Sequence, residues 1–160
     1  WSTGDRTVRS ERDEWVVKQE GAHEIVHTDG ISADQVVERL RSLAPQGIDH
    51  IVEVAFHANI TTDEKVLAQG GSLATYATGD PAPSIPFWPL VFKNIRLFFL
   101  GSDDFPAQAK ATAAAELNEA LDGGWPGLEI AERFPLSSIA EAHEWVESRR
   151  RSGRVTVTRS

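Results

Sequence analysis

The chain has no cysteine and no methionine, and its 160 residues include a single tyrosine. Without cysteine there can be no disulfide, no thiolate zinc site and no cysteine nucleophile. The compartment is left open by this, except that nothing requires an oxidising one. No apolar run is long enough to cross a bilayer. The opening residues, Trp1-Ser2-Thr3-Gly4-Asp5-Arg6, lack the apolar stretch of a signal peptide. A sequence with no methionine that begins so abruptly is expected to be a segment of a longer product, methionine replacement during sample preparation being the other explanation. Basic residues are outnumbered, 16 against 24, for a formal net charge of −8, so a broad nucleic-acid surface is not expected. No G-x-S-x-G elbow occurs, so a serine–histidine–acid triad is unsupported. The histidines, His23, His27, His50, His57 and His143, form no H-x-x-x-H pair on a predicted helix, and a zinc reading fails. What is present suits one domain with a real core, at 41% hydrophobic and 25% charged residues.

The chain is organised around residues 48–79. Ile48 to Ala55 is an apolar run with a Glu inside it, the pattern of a buried strand. Thr61-Thr62-Asp63 predicts a helix start, Val66 and Leu67 supply the stripe, and Gly70-Gly71 is expected to stop it. Leu73 to Ala77 is a second strand, closed by Thr78-Gly79-Asp80. Such a unit implies two parallel strands joined by a crossover helix. In open parallel sheets, ligands sit beyond the carboxyl ends of the strands. His57-Ala58-Asn59 and Tyr76-Ala77-Thr78-Gly79 fall at those ends.

Before this unit, Thr7-Val8 is expected to end a short strand, with Ser10 as the cap of a helix through Trp15 and Val16. Glu24–His27 reads as a strand and Thr28-Asp29-Gly30 as a turn. Ser32-Ala33-Asp34-Gln35 has the capping-box form ahead of a Val36, Val37, Leu40, Leu43 stripe. After the unit, residues 80–89 are a proline-bearing loop, Leu90–Lys93 a short helix, and Asn94–Leu100 the most apolar strand candidate. Pro106 suits the first turn of a helix carrying Ala109, Ala113, Leu117 and Leu121. Gly123-Gly124-Trp125-Pro126-Gly127 is a hard break. Beyond it come an alternating strand, Leu128–Phe134, a helix opened by the capping box Ser138–Glu141, and a last strand, Arg154–Thr158. Strands alternating with helices to residue 122 predict a parallel α/β sheet with helices on both faces. Residues 127–160 need not belong to it.

Three segments, Gly21-Ala22-His23-Glu24-Ile25-Val26, Gly47-Ile48-Asp49-His50-Ile51-Val52-Glu53 and Leu67-Ala68-Gln69-Gly70-Gly71-Ser72-Leu73, occur in an order and spacing that resembles the zeta-crystallin-like quinone oxidoreductases of the medium-chain dehydrogenase/reductase superfamily. The ending, Phe134-Pro135-Leu136, Ala140-Glu141-Ala142-His143-Glu144 and Ser152-Gly153-Arg154-Val155, is similar to that family's closing segment. The resemblance implies a Rossmann-like NADPH-binding part over residues 1–126. It further implies a C-terminal strand–helix–strand, 127–160, that returns to a catalytic domain not contained in the sequence. It also implies that the first Rossmann strand, with its glycine-rich phosphate-binding turn, is absent. Family members of the alcohol dehydrogenase type take zinc mostly from that other domain, so no metal ligand is expected here.

By this resemblance Arg9, Ser10 and Arg12 meet the adenosine ribose and the 2′-phosphate of NADPH, where a guanidinium fork matches a phosphate. The plainer reading is a solvated helix start with a serine cap. Thr28 falls on the adenine side, or is an ordinary turn threonine. Asn59 corresponds to a contact near the nicotinamide ribose, or is a helix cap before Ile60. Many relatives carry glycines just before Asn59, where Phe56-His57 stand in this chain. Tyr76, Ala77, Thr78 and Gly79 correspond to the stretch that passes the nicotinamide, or to a simple strand end and turn. The strand 94–100 matches an edge that pairs with its twin in a dimer, or is a strand covered by loop 80–89. The arginine run 149–151 is read as complementing a helix dipole.

The expected function is thus the cofactor-binding portion of a zinc-independent, cytoplasmic, NADPH-dependent oxidoreductase. Such an enzyme passes hydride to a small-molecule quinone or α,β-unsaturated carbonyl, with no catalytic side chain identified in this segment. The segment alone is expected to be inactive and to bind NADPH weakly. Two alternatives stand beside this: a truncated, non-catalytic dimeric module, and an enoyl reductase domain of a larger synthase.

Overall fold

The computed structural model describes residues 4, 6–8, 11–19, 21–125, 127–148 and 153–159; the side chains of residues 6, 11–13 and 102 fall outside that description. The chain divides into two compact units, Trp1–Pro106 and Ala107–Ser160.

The first unit alternates strands and helices: β1 (Arg6–Val8), α1 (Glu11–Gln19), β2 (Ile25–His27), α2 (Ala33–Leu43), β3 (Ile48–Glu53), α3 (Phe56–Val66), β4 (Leu67–Thr75), α4 (Phe87–Phe92) and β5 (Arg96–Phe99). A 3-10 turn, Ser102–Asp104, follows. Every strand pairing is parallel. β1 pairs with β2, and β4 lies between β3 and β5. The doubly wound strand order is 3-2-1-4-5-6. The neighbours within the two sheets, β1 beside β2 and β3-β4-β5, match strands 2-3 and 4-5-6 of that order. The expected parallel α/β class is the one observed.

α2 starts where the sequence says it should. Ser32 Oγ accepts from the Gln35 N–H at 3.3 Å and Gln35 Oε1 accepts from the Ser32 N–H at 2.8 Å, closing the capping box. Its Val36, Val37 and Leu40 pack with Val26 of β2 and Val66 of α3 in one buried cluster. A second cluster joins Phe56, Ile60, Leu67, Leu73 and Leu90. Leu73, at the centre of β4, is 0% exposed. Burying a side chain of this size contributes about 2 kcal/mol.

Several local expectations are corrected. α3 begins at Phe56, not near Thr61, because its first turn is held by backbone rather than by a side-chain cap. Phe56 N–H donates to the Ala77 carbonyl at 3.2 Å, and Ala58 N–H to the Ala55 carbonyl at 2.8 Å. The helix ends at Val66, and Gly70-Gly71 lie inside β4 instead of stopping it. There they form a bulge: the register runs Ile48 opposite Leu67, then His50 opposite Ser72. Gly70 adopts φ +71° and its N–H donates to the Lys93 carbonyl at 2.7 Å. β4 therefore spans 67–75, and Tyr76-Ala77 lie beyond it. β3 is less buried than its apolar sequence predicts: Val52, and Val54 just beyond the strand, are more than half exposed. It has a strand neighbour on one side only among the described residues.

The second unit holds α5 (Ala107–Asp122), β6 (Ile130–Pro135), a 3-10 turn (Leu136–Ser138), α6 (Ile139–Glu147) and β7 (Arg154–Thr158). β6 and β7 pair in parallel, joined through α6, and Ala142 is buried. Ser138 does not form the predicted capping box. It ends a 3-10 turn, where its hydroxyl lies 3.5 Å from Glu141 Oε1 and takes no backbone N–H. The apolar stripe on α5 is exposed at Leu117 and Leu121. The expectations for Arg149, Arg150 and Arg151 lie outside the described residues.

Candidate active site at the carboxyl ends of the central strands

The carboxyl ends of β4 and β5 open into a cavity of about 420 Å³. Its walls come from Thr75–Thr78 after β4, from Phe99–Gly101 after β5, and from Phe56 and Pro83. Phe56 and Phe99 meet edge to face with centroids 5.5 Å apart, giving the cavity an aromatic wall. A parallel sheet forms such a crevice at this end because its crossover helices leave from the strand ends.

The predicted residues Tyr76, Ala77 and Thr78 line this cavity, and Gly79 follows directly. Tyr76 is exposed. The turn is firmly tied. The Thr75 hydroxyl donates to the Ala77 carbonyl at 3.3 Å, the Thr78 hydroxyl donates to the Asp80 carbonyl at 3.0 Å, and Gly79 N–H donates to His57 Nδ1 at 2.9 Å. A Cβ on Gly79 would lie 2.7 Å from the His57 ring, so glycine is what allows the imidazole to close over the turn.

Asn59 sits in the first turns of α3, on the β3 side of the same corner. Its Nδ2 donates to Glu53 Oε2 at 3.0 Å. Glu53, the last residue of β3, also accepts from the Ala55 N–H. Glu53 and Asp63 are buried, with 7% and 8% exposure. Asp63 Oδ2 has no hydrogen-bond partner. Burial, and then the charge and hydrogen bond of Glu53, push the Asp63 carboxyl up to about 8.

At the other sheet, Thr28 follows β2. Its N–H and its hydroxyl both donate to the Val8 carbonyl, at 2.9 and 3.2 Å. His27 Nε2 lies 2.7 Å from Glu14 Oε2. Arg9 and Ser10 lie outside the described residues; Arg12 is in α1 with its side chain undescribed. The structure therefore brings Tyr76, Ala77 and Thr78 to the cavity wall, with Gly79 tied to His57; Asn59 does not line the cavity and bonds Glu53 instead, and Thr28 follows the β1–β2 sheet. Sequence reasoning did not assign roles to Glu53, Asp63, Phe99 or Leu100. The signal for Glu53 was there, as a carboxylate inside an apolar strand.

This is an α/β fold of the doubly wound, nucleotide-binding type, with an open crevice at its strand ends. Residues 20–157 match the family model described as zinc-binding dehydrogenase, and the chain belongs to that family. It is 29% identical over 143 residues to the quinone oxidoreductase of Lama guanicoe, covering 86% of this chain and 41% of that protein. To the human quinone oxidoreductase it is 25% identical over 142 residues, again 86% and 41%. The chain thus spans less than half the length of these relatives, and it corresponds to the C-terminal part of the medium-chain dehydrogenase/reductase quinone oxidoreductases. Among solved structures, a mycobacterial protein complexed with NADPH superposes with a TM-score of 0.79 at 22% identity, over 97% of this chain and 48% of that one. A quinone oxidoreductase of Pseudomonas syringae gives 0.79 at 20% identity, over 98% and 49%. The zinc in the family description does not fit this chain. It has no cysteine, and no group of three His, Asp or Glu among the described residues could hold a metal ion.

Proposed function

We propose that this chain is the cofactor-binding portion of an NADPH-dependent oxidoreductase that passes hydride to a quinone or an α,β-unsaturated carbonyl. One observation carries the proposal: the crevice at the carboxyl ends of β4 and β5 is walled by Thr75–Thr78 and Phe99–Gly101. Its apolar, aromatic walls and its size suit a nicotinamide ring. NADPH, when bound, supplies the hydride; the residues of this chain supply orientation and exclusion of water. Tyr76, Ala77, Thr78 and Gly79 would flank the nicotinamide, Asn59 its ribose, and Thr28, Arg9, Ser10 and Arg12 the adenosine side. Quinone or enone reduction belongs to the whole protein, which is proposed to be cytoplasmic.

The strand order supports the same reading. A strand with a glycine-rich turn would sit between β1 and β3 in a complete doubly wound sheet. Calorimetric titration of the chain with NADPH tests the proposal. Binding in the micromolar to low-millimolar range, without turnover of a quinone, is the expected result. No binding at millimolar NADPH would refute it.

A second proposal concerns β5, which among the described residues pairs only with β4 and leaves Phe98 and Phe99 exposed. We propose that a second copy pairs along this edge to form a dimer. Sedimentation equilibrium should show a dimer that Phe98→Lys weakens. A monomer at high concentration would refute it.

A further inference from the structure

We infer that the Tyr76 hydroxyl is the side-chain hydrogen-bond donor of the crevice, and that it holds the carbonyl oxygen of an uncharged, planar ring. The inference deepens the NADPH-binding proposal and, for where that ring comes from, rests on it. Tyr76 follows β4 directly and lines the cavity at the carboxyl ends of β4 and β5. At 57% exposure it is within reach of a ligand arriving from solvent.

Three of the residues that line the cavity carry a polar side chain, Thr75, Tyr76 and Thr78. A hydroxyl has one proton to give. Thr75 gives its proton to the Ala77 carbonyl at 3.3 Å, and Thr78 gives its proton to the Asp80 carbonyl at 3.0 Å. Thr78 Oγ1 also accepts from the Asp80 N–H at 3.3 Å. Backbone groups of the walls are spent as well. The Ala77 carbonyl accepts from Phe56 N–H at 3.2 Å, the Thr75 carbonyl from Leu100 N–H at 2.9 Å, and the Gly101 carbonyl from Asp104 N–H at 3.1 Å. The Tyr76 hydroxyl has no partner among the described residues. Of the three hydroxyls it is the one whose proton the turn has not already used.

The same walls decide what Tyr76 donates to. Among the described residues that line the cavity, none is Asp, Glu, Lys, Arg or His. A charged group drawn in would lose water without gaining a counter-ion. Phe56 and Phe99, edge to face at 5.5 Å, offer apolar ring surface to a flat partner. Once a ligand displaces water from such walls, an O–H without an acceptor is costly, so a ring that brings an oxygen is favoured over one that does not. Two sources share this chemistry, the carboxamide of a nicotinamide and the keto oxygen of a quinone. In the first, Tyr76 fixes which way round the cofactor ring lies; in the second, it holds the substrate.

The test uses the 160-residue chain labelled with 13C at the tyrosine Cζ, which gives a single signal because Tyr76 is the only tyrosine. Four probes are titrated at neutral pH: nicotinamide, tetramethyl-1,4-benzoquinone, nicotinic acid (charged) and 3-methylpyridine (no oxygen). Nicotinamide, the quinone or both should move the Tyr76 signal saturably, with dissociation constants in roughly the millimolar range for molecules this small. The nicotinate anion and 3-methylpyridine should bind about tenfold more weakly. Tyr76→Phe should weaken the carbonyl ring about tenfold and leave 3-methylpyridine unchanged. A shift with nicotinamide alone assigns the carbonyl to the cofactor, and a shift with the quinone alone assigns it to the substrate. A Tyr76 signal that neither carbonyl ring moves would overturn the inference. So would nicotinate binding as tightly as nicotinamide, or a Tyr76→Phe chain that holds the carbonyl ring as well as before. The probe series on the unsubstituted chain decides the matter without the variant. Calorimetry with NADPH separates the two proposals: NADPH bound with the Tyr76 signal unmoved by every probe sinks only the inference, and no NADPH bound while the quinone moves the signal sinks only the cofactor reading.

Discussion

Replacing Asp63 with asparagine should stabilise the first unit, and the gain should grow with pH. In the folded chain the Asp63 carboxyl titrates at about 8, raised first by burial and then by Glu53. In the unfolded chain an aspartate titrates at about 3.9. Between these values the folded state binds a proton that the unfolded state does not. Stability therefore falls as pH rises, by about 1.4 kcal/mol per unit. This proton-linked stability is fully present below the unfolded value and is lost as pH rises through the folded one. Three units separate pH 4 from pH 7, so the loss over that interval is about 4 kcal/mol. The asparagine of Asp63→Asn carries no titrating proton and still donates to Glu53. It puts its carbonyl where Asp63 Oδ2 is already unpartnered. The two proteins should therefore be similar near pH 4 and diverge by about 4 kcal/mol at pH 7, with no further divergence above pH 8. Urea unfolding at pH 4, 5.5, 7 and 8.5 measures this. Amide exchange of α3 and β4 should be followed so that the first unit is read separately from the second. Parallel pH profiles, or a gap that narrows as pH rises, would refute this account of Asp63.

Three further substitutions test the packing that carries the crevice. Leu73→Ala empties a fully buried position in the central strand and should cost about 3–4 kcal/mol by denaturant midpoint, within the range for buried leucines. Gly47→Ala should destabilise by at least about 2 kcal/mol, since Gly47 has φ +88° and an added Cβ would lie 2.6 Å from the Ala68 backbone; an unchanged melting temperature would contradict this. Ser32→Ala removes half of the capping box and should cost about 1 kcal/mol, with no effect on NADPH affinity, because α2 does not line the cavity.

Elements that announce themselves through local chemistry were legible in the sequence. Ser32 and Gln35 mark the start of α2, the strand–helix–strand order from Ile48 predicts a parallel pair, and Arg154–Thr158 is a strand as read. The misreadings share one cause: long-range partners replaced local signals. Thr61-Thr62-Asp63 looks like a cap, but Asp63 is buried within α3, which begins five residues before Thr61 on a hydrogen bond from Phe56 to Ala77. Gly70-Gly71 looks like a helix stop, whereas the closeness of Ala68, Ile48 and Asp49 carbonyls around Gly71 makes it a bulge between strands. Ser138 and Glu141 have the spacing of a capping box, but the 3-10 turn before α6 takes the serine away from the helix N–H groups. For the cavity, strand-end logic reached Tyr76, Ala77 and Thr78, because that logic depends only on strand direction. It could not reach Phe99 and Leu100, which join the cavity through β5 pairing with β4 in a register that no local pattern specifies.

The corner between β3 and β4 is bonded as one unit, and this decides how a ligand there would be felt. α3 has no side-chain cap; its first N–H goes to Ala77, in the cavity wall. His57, one residue on, holds the Gly79 N–H, and Glu53 holds both the Ala55 N–H and Asn59. An apolar pair in place of Glu53 and Asp63 would, on general grounds, be no less stable than buried carboxyls. Local rules are most often set aside where a site has to be held in place. A molecule that moved Thr78 or Gly79 would pull on His57, and hence on the first turn of α3.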